Sequence, residues 1–421
     1  MATYDLAFLK DKDVIFTGSG RDMTATADFL KKHGEARSLQ HINVDLNNPA
    51  TAYEQFGNPD LSQTVIFKTA GVAGSKMGSP YMTSTELFFK LVKPMGNLTI
   101  GITGTKGKTT TSTMTARMLE AAGKDVILCG NIGLAMIGYL DQAKPETIFV
   151  IELSSYQLDE LQVSPHIGAI TNLYHDHVDY HGSLDAYWEA KHHLVQFMEP
   201  GDIFIYNPEF TLCAEWAQAS KATAITIDTN EQVDMSVTKL IGDHNRLNAV
   251  MAKTIAMQAG ASEADCLRAL EGFEPVTHRL QKVATVGEVT FIDDAIASQP
   301  EAAIAGITAV TKQVGPVGVM LLGGKDRDYD FTAMMAKIAE AKVPALVMFP
   351  ETVAKMKAAM PEGYAPEILE TSDMAEAVAW SYKHAPKGSV VLLSNGAPSY
   401  TIWKDFEEKG DKFQEAVRTL Q

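Results

Sequence analysis

The stretch NLTIGITGTKGKTTTSTMTARMLEAAG, which ends at Gly123, constrains the fold more than any other part of the chain. An apolar run gives way among three glycines, Gly101, Gly104 and Gly107, and then passes directly into a helical pattern. A strand that feeds a helix through so short a loop belongs to a crossover unit, and such units need parallel neighbours. DVILCG, TIFVIELS, HIGAITNL and GDIFIYN supply them as buried-strand candidates at crossover spacing. Upstream, DVIFTGSG, SLQHINVDL and QTVIFKTAG predict a small parallel sheet of their own. Downstream, VTFIDDA, VGVMLLGG, PALVMFP and SVVLLSNG alternate with alanine-rich helical segments and predict a third sheet. KPMGN, around Pro94, and EPVTHRLQKV read as the breaks between these zones. The 421 residues are too many for one core, so three α/β domains are expected, over 1–95, 96–281 and 282–421.

The glycine loop predicts a bound nucleotide phosphate. Ile102 occupies the first glycine position of the strict G-x-x-x-x-G-K-[ST] pattern, but the physics is retained. Backbone N–H groups across Gly104, Thr105, Lys106 and Gly107 can converge on phosphate oxygens, at the positive end of the following helix. Lys108 can neutralise the outer phosphates of ATP or GTP, and the hydroxyls of Thr109 and Thr110 are placed to serve the same end, Thr109 at a Mg²⁺. Such an ion needs further oxygen ligands. Glu152 stands near the end of an apolar strand, where it would reach the same crevice. The loop LYHDHVDYHG gathers His175, Asp176, His177, Asp179 and His181, although histidine is an unusual ligand for Mg²⁺ and such loops are often simply solvated. Lys191 lies on a helical segment; a cationic lysine cannot ligate a metal, whereas one carbamylated by CO₂ is an anion with two oxygens.

Composition removes several classes of function. A formal net charge of −16 argues against a general affinity for nucleic acid or anionic lipid. No run of about 18 apolar residues offers a membrane span. The opening MATYDLAFLKDKD has neither the basic nor the apolar part of a secretory leader. Cys129, Cys213 and Cys266 are odd in number and scattered, matching neither a disulfide framework nor a zinc site, so a reducing cytoplasm is expected.

GITGTKGKTTT, GNIG, IELSSYQL, HDHVDYHG, AYWEAK, GDHNRLNA, THR, DDAIAS and LLSNGAPSY…FEEKGDKF occur in that order. Together they resemble the Mur ligases, the ATP-dependent amide-forming enzymes of peptidoglycan synthesis, and within them the glutamate-adding branch. The resemblance implies a Rossmann-like N-terminal domain, a central P-loop ATPase domain and a Rossmann-like C-terminal domain. It implies a cytoplasmic monomer joining glutamate to UDP-N-acetylmuramoyl-L-alanine through an acyl phosphate, with ATP and Mg²⁺. Carried over, it gives Lys108 and Thr109 to the ATP phosphates and one Mg²⁺, and puts Asn131 near the reacting centre. Glu152, His177 and a carbamylated Lys191 would serve a second Mg²⁺. Asn245 and Asn248 match nucleotide-recognising positions, and Arg279 and Asp294 match contacts to phosphate and ribose. Thr17, Gly18, Ser19, Asp45 and Gly71 would hold the UDP-sugar, and Arg327, Ser399 and Phe406 the incoming glutamate.

The sequence departs from that pattern in two places. Glutamate ligases commonly carry lysine in an Asp-Ser-Lys-Ala segment, but here Ile296 stands in Asp294-Ala295-Ile296-Ala297 and supplies no charge. The usual Ser-Pro-Gly turn is Thr69-Ala70-Gly71. An L-glutamate-adding variant, a folylpolyglutamate-type ligase, and a P-loop ATPase that changes shape without forming a bond remain the alternative readings.

Overall fold

The computed structural model describes residues 4–132, 135–159, 161–400 and 402–420, and the backbone alone of Asp179. Gly133 of GNIG thus lies outside the described residues. The chain separates into two compact units, one comprising Met1–Val233 and Arg246–Glu271, the other Asp234–Asn245 and Gly272–Gln421.

Two sheets build the first unit. One contains β1 (Asp13–Phe16), β2 (Ser38–His41), β3 (Thr64–Lys68) and β4 (Met82–Thr83), in the order β2-β1-β3-β4, all parallel. The other contains β5 (Thr99–Thr103), β6 (Val126–Gly130), β7 (Ile148–Glu152), β8 (Ile167–Ile170), β9 (Ile203–Tyr206) and β10 (Thr223–Thr226). Its order is β10-β9-β8-β5-β7-β6, again all parallel. β5 lies between β8 and β7, so the order reverses there and the carboxyl ends of these strands frame a crevice, the usual ligand position in an open α/β sheet. The two sheets share one core because the helix Ser84–Met95 brings Phe88 edge-on to Phe149 of β7, with ring centroids 5.3 Å apart.

The second unit holds the third sheet: β11 (Gln281–Val286), β12 (Val289–Asp293), β13 (Val317–Gly324), β14 (Ala345–Glu351), β15 (Glu367–Glu370) and β16 (Val390–Leu393). Their order is β11-β12-β16-β13-β14-β15, parallel except for the β11–β12 pair. Every residue of β13 is buried, because alternate side chains enter opposite cores. Met320 and Leu322 join one cluster, and Val319 and Leu321 the other.

Each expected strand is present, and four others were not anticipated: β4, β10, β11 and β15. EPVTHRLQKV is therefore not wholly a linker, since β11 begins inside it at Gln281. KPMGN likewise overlaps the end of the helix Ser84–Met95, which passes through Pro94 and stops at Gly96, at φ 79°. Proline is tolerated so close to a helix end because few turns remain to be disturbed.

Candidate functional site

The glycine loop leaves β5 and enters the helix Lys108–Ala121 with Gly107 in the left-handed region, at φ 81°. A Cβ on Gly107 would lie 2.4 Å from Asn248 Oδ1, so both conformation and space require glycine. The same clash sets Asn248 against the loop. Gly104 is as constrained: a Cβ there would meet Thr171 Oγ1 at 2.0 Å. The loop after β8 holds the glycine loop in shape. Asn172 Oδ1 accepts from the N–H of Thr105 (3.1 Å) and Lys106 (2.8 Å), and Thr171 Oγ1 donates to Lys106 O (2.7 Å). Lys108 Nζ donates to the carbonyls of Gly104 and Thr105, each at 3.0 Å. Thr109 is half-buried at the helix start, and Thr110 is buried.

Glu152 ends β7 and is 1% exposed. Its Oε1 accepts from Asn131 Nδ2 at 2.9 Å, but its Oε2 has no hydrogen-bond partner among the described residues. A buried carboxylate oxygen without a donor is costly, and a cation would remove that cost. Lys191, on the helix Leu184–Gln196, is also 1% exposed. Its Nζ donates to Gly104 O at 2.9 Å and lies 4.7 Å from the centre of the Tyr187 ring. Burial, and then the charge of Lys108, push this amine well below the ordinary lysine value, against the opposing pull of Asp176. A neutral, buried amine is a nucleophile.

His177 has φ 49°, a left-handed conformation unusual for a side chain of its size. Its Nδ1 faces the Tyr156 hydroxyl at 3.1 Å, and its Nε2 lies 3.8 Å from Asp176. Asp176 also pairs with Lys106 at 3.2 Å. Burial would raise the Asp176 carboxyl, but Lys106 and His177 outweigh it and hold the value low. The rest of the loop divides: His181 Nε2 meets Ser155 Oγ at 3.1 Å, and His175 is exposed. Among the described residues no three His, Cys, Asp or Glu side chains form a metal-binding group. The histidine-rich loop is thus not a ligand cluster in itself. The donors suited to Mg²⁺ are the orphaned oxygen of Glu152 and, were it carbamylated, Lys191.

In the first sheet, Thr17 and Gly18 follow β1, and Thr17 Oγ1 accepts from the N–H of Thr69 at 2.7 Å. Gly18 O meets His41 Nδ1 at 2.7 Å, and Ser19 O accepts from Thr24 Oγ1 at 3.1 Å. Gly71 is exposed in the turn after β3. Asp45 is exposed, and its carboxylate accepts from the N–H of Asn47 at 3.0 Å, shaping its own loop.

The remaining expected residues lie in the second unit. Asn245 Nδ2 donates to Ile241 O at 2.9 Å. Arg279 has a buried Nε with no hydrogen-bond partner among the described residues. Asp294, wholly buried, has its carboxyl pushed up to about 7 by burial, although the Ser394 hydroxyl and Arg279 oppose the shift. Arg327 is exposed, with its guanidinium 5.9 Å from the centre of the Tyr400 ring. Ser399 Oγ accepts from Asn395 Nδ2 at 3.3 Å, and Phe406 begins the last helix, Phe406–Arg418. Ile296 donates its N–H to His278 O at 3.2 Å, so this position ties its segment to the THR motif through backbone alone.

Two residues near these sites, Lys409 and His278, escaped sequence reasoning. Lys409 is fully buried, donates to Gly323 O at 2.8 Å and lies 4.4 Å from the Phe349 ring centre and 4.7 Å from that of Trp403. His278, at φ 64°, has its Nδ1 2.7 Å from Asp293 Oδ2. Burial alone would lower the His278 value, but the Asp293 hydrogen bond and charge, with Asp411 and Glu407, raise it above 6.5. A raised folded value means that this pair's stabilisation is fully present below pH 6.5 and is lost as pH rises through the folded value. His278→Gln is expected to remove that pH dependence. Thermal melting of both proteins from acid to mildly alkaline pH checks it, and parallel curves would count against the pair.

The chain matches two family models, Mur ligase middle domain over residues 102–259 and Mur ligase, glutamate ligase domain over 278–395. It is 30% identical to the UDP-N-acetylmuramoylalanine--D-glutamate ligase of Ligilactobacillus salivarius, over 98% of this chain and 97% of that one. It is 32% identical to the ligase of the same name from Streptococcus uberis, over 90% of this chain and 83% of that one. Among solved structures it is similar to MurF ligase from Thermotoga maritima, in complex with ADP, with a TM-score of 0.64 and 14% identity over 99% of this chain and 98% of that one. It is also similar to the UDP-N-acetylmuramate-alanine ligase MurC of the same organism, with a TM-score of 0.62 and 18% identity over 97% of this chain and 100% of that one. These two structural likenesses bear on the fold.

Proposed function

The chain belongs to the Mur ligase family, and from that premise we propose that it joins D-glutamate to UDP-N-acetylmuramoyl-L-alanine, converting ATP to ADP and phosphate. The observation that carries this reading is the end-to-end match to relatives whose name states that amide bond.

A carboxylate is a poor acyl donor because oxide is a poor leaving group. Its oxygen attacks the γ-phosphorus of ATP, the bond to ADP breaks, and an acyl phosphate results. The glutamate nitrogen then adds to the acyl carbon, phosphate departs, and nitrogen gives up a proton. In this reading the glycine loop holds the phosphates through the N–H groups of Gly104 and Gly107, the Lys108 ammonium and the hydroxyls of Thr109 and Thr110, while the N–H groups of Thr105 and Lys106, also expected there, are taken up by Asn172. Glu152, His177 and carbamylated Lys191 would hold Mg²⁺, with Asn131 steadying Glu152. That ion supplies charge neutralisation on phosphoryl oxygen. For Nε2 of His177 to keep a lone pair for it, Nδ1–H must donate to Tyr156, a tautomer consistent with the 3.1 Å contact.

Asn245 and Asn248 are assigned to the adenine, and Arg279 and Asp294 to phosphate and ribose. The unpartnered Nε of Arg279 is a donor of the right kind. Arg327 suits a glutamate carboxylate through paired N–H groups, framed by Ser399 and Phe406. Thr17, Gly18, Ser19, Asp45 and Gly71 are assigned to the UDP-sugar. The domain limits 1–95, 96–281 and 282–421, and a monomeric state, belong to the same proposal.

Purified protein with ATP, Mg²⁺ and UDP-N-acetylmuramoyl-L-alanine is expected to release phosphate with D-glutamate and not with L-glutamate, the amide being identified by mass. Release with the L form alone would instead make Ile296 the mark of changed stereospecificity. Release with neither would overturn the reading.

A further inference from the structure

Four atoms of the substrate-side turn after β3 are held by side chains or by the turn itself. Thr69 N–H donates to Thr17 Oγ1 at 2.7 Å, and Val72 N–H closes the turn on Thr69 O at 3.1 Å. Lys68, 1% exposed, donates through Nζ to Val72 O at 3.0 Å. The fourth tie comes from the other sheet's side of the same unit. The Tyr180 hydroxyl donates to Ala70 O at 3.0 Å, with Val72 O at 3.3 Å as its alternative acceptor.

Tyr180 sits on the one-turn helix Val178–His181 that follows His177. Its ring meets the Tyr156 ring edge-on, with centroids 4.2 Å apart at 70°. Tyr156 in turn faces His177 Nδ1 through its hydroxyl at 3.1 Å. Three contacts in series therefore connect the backbone of residues 70–72 to the imidazole assigned to the reacting centre. Both links are aromatic rings, which have few rotamers, and His177 stands in a left-handed backbone conformation at the helix start.

We propose that Tyr180 is a positioning residue that clasps the 69–72 turn to the Tyr156–His177 pair, so that occupation of the UDP-sugar side and arrangement of the nucleotide side favour each other. The proposal rests on the function given above. It follows from reciprocity: whatever ligand stabilises the clasped turn also stabilises His177 in its present orientation, and the converse holds to the same factor. Lys68 holds the same turn through Val72 O from within its own sheet, so it serves as the contrast.

Calorimetric binding of UDP-N-acetylmuramoyl-L-alanine to the whole protein, with and without Mg²⁺ and a non-hydrolysable ATP analogue, tests this. In the unmutated protein the analogue is expected to tighten UDP-sugar binding by about tenfold. Tyr180→Phe, which keeps the ring and removes the hydroxyl, is expected to lose that tightening while binding the analogue as before. Lys68→Met is expected to weaken UDP-sugar binding but keep the tightening. Full tightening in Tyr180→Phe, its absence in the unmutated protein, or its loss in both variants alike would overturn the clasp. If the unmutated protein does not bind the UDP-sugar at all, the functional reading falls and the clasp falls with it; binding with unaltered coupling removes the clasp alone.

Discussion

Lys108→Met is expected to lower phosphate release and amide formation by about 10³-fold, with the fold retained. The magnitude follows from the role proposed for the ammonium. In the proposed reaction a fixed cation would meet the negative charge of the transferring phosphoryl group, and removal of one preorganised stabiliser costs about 10²–10³ in rate. Lys108 Nζ already lies 3.0 Å from two loop carbonyls, so the cation is held at the loop before any phosphate arrives. Methionine keeps the length and the apolar stem, which limits the effect on packing. Lys108→Arg is not a rescue, since the planar fork is larger and differently directed than an ammonium. Single-turnover phosphate release separates the chemical step from binding, and circular dichroism reports the fold. Turnover within tenfold of the unmutated protein would mean that Lys108 only ties the loop together. The same substitution has a second consequence: the charge of Lys108 is one of the causes depressing the Lys191 amine, so that amine should become more basic.

Much of this site was legible in the sequence because it rests on backbone requirements. Gly104 and Gly107 cannot carry a Cβ, and the strand–loop–helix order around them has few structural solutions. Glu152 was legible for a related reason: it ends a strand whose residues are all buried, so its carboxylate had to appear at the sheet's carboxyl edge. Edge strands were less visible. β10, with sequence TAIT, and β15, with EILE, are largely solvent-facing, so neither carries a continuous apolar run. β11 was hidden because its residues alternate weakly and it pairs antiparallel with β12 beside a break in the pattern. The buried partners of charged side chains were not legible at all. HDHVDYH reads as a ligand cluster, yet beyond the Asp176–His177 contact its members turn to other neighbours: Asp176 to Lys106, His177 to Tyr156 and His181 to Ser155. Lys409 read as one more charge in FEEKGDKF, and only the tertiary arrangement encloses it between Phe349 and Trp403.

Removing dissolved CO₂ is expected to lower ligase activity by about 10²-fold, and adding bicarbonate to restore it. An ammonium at Lys191 would be a buried charge with Lys108 as a like-charged neighbour, and such a charge costs several kcal/mol when unpaired. The neutral amine avoids that cost. In the proposed modification the nitrogen would bond to the carbon of CO₂, the N–H proton would go to solvent, and the product would be an anion able to join Glu152 in holding a cation. Since the folded value lies well below 10.5, the reactive neutral form is present at a pH where an exposed lysine remains protonated. The sign for stability is consistent with this. Between the depressed folded value and 10.5 the unfolded chain binds the extra proton, so in CO₂-free buffer the contribution of this group to stability rises with pH across that window. Lys191→Met should be inactive and indifferent to bicarbonate. Lys191→Arg should also be destabilised, because a guanidinium does not give up its charge to fit a buried site. Carbonate labelled with ¹³C gives an independent readout, a carbamate resonance present in the unmutated protein and missing from both variants. Full activity after exhaustive CO₂ removal, or a labelled resonance that persists in Lys191→Met, would overturn the carbamate at Lys191.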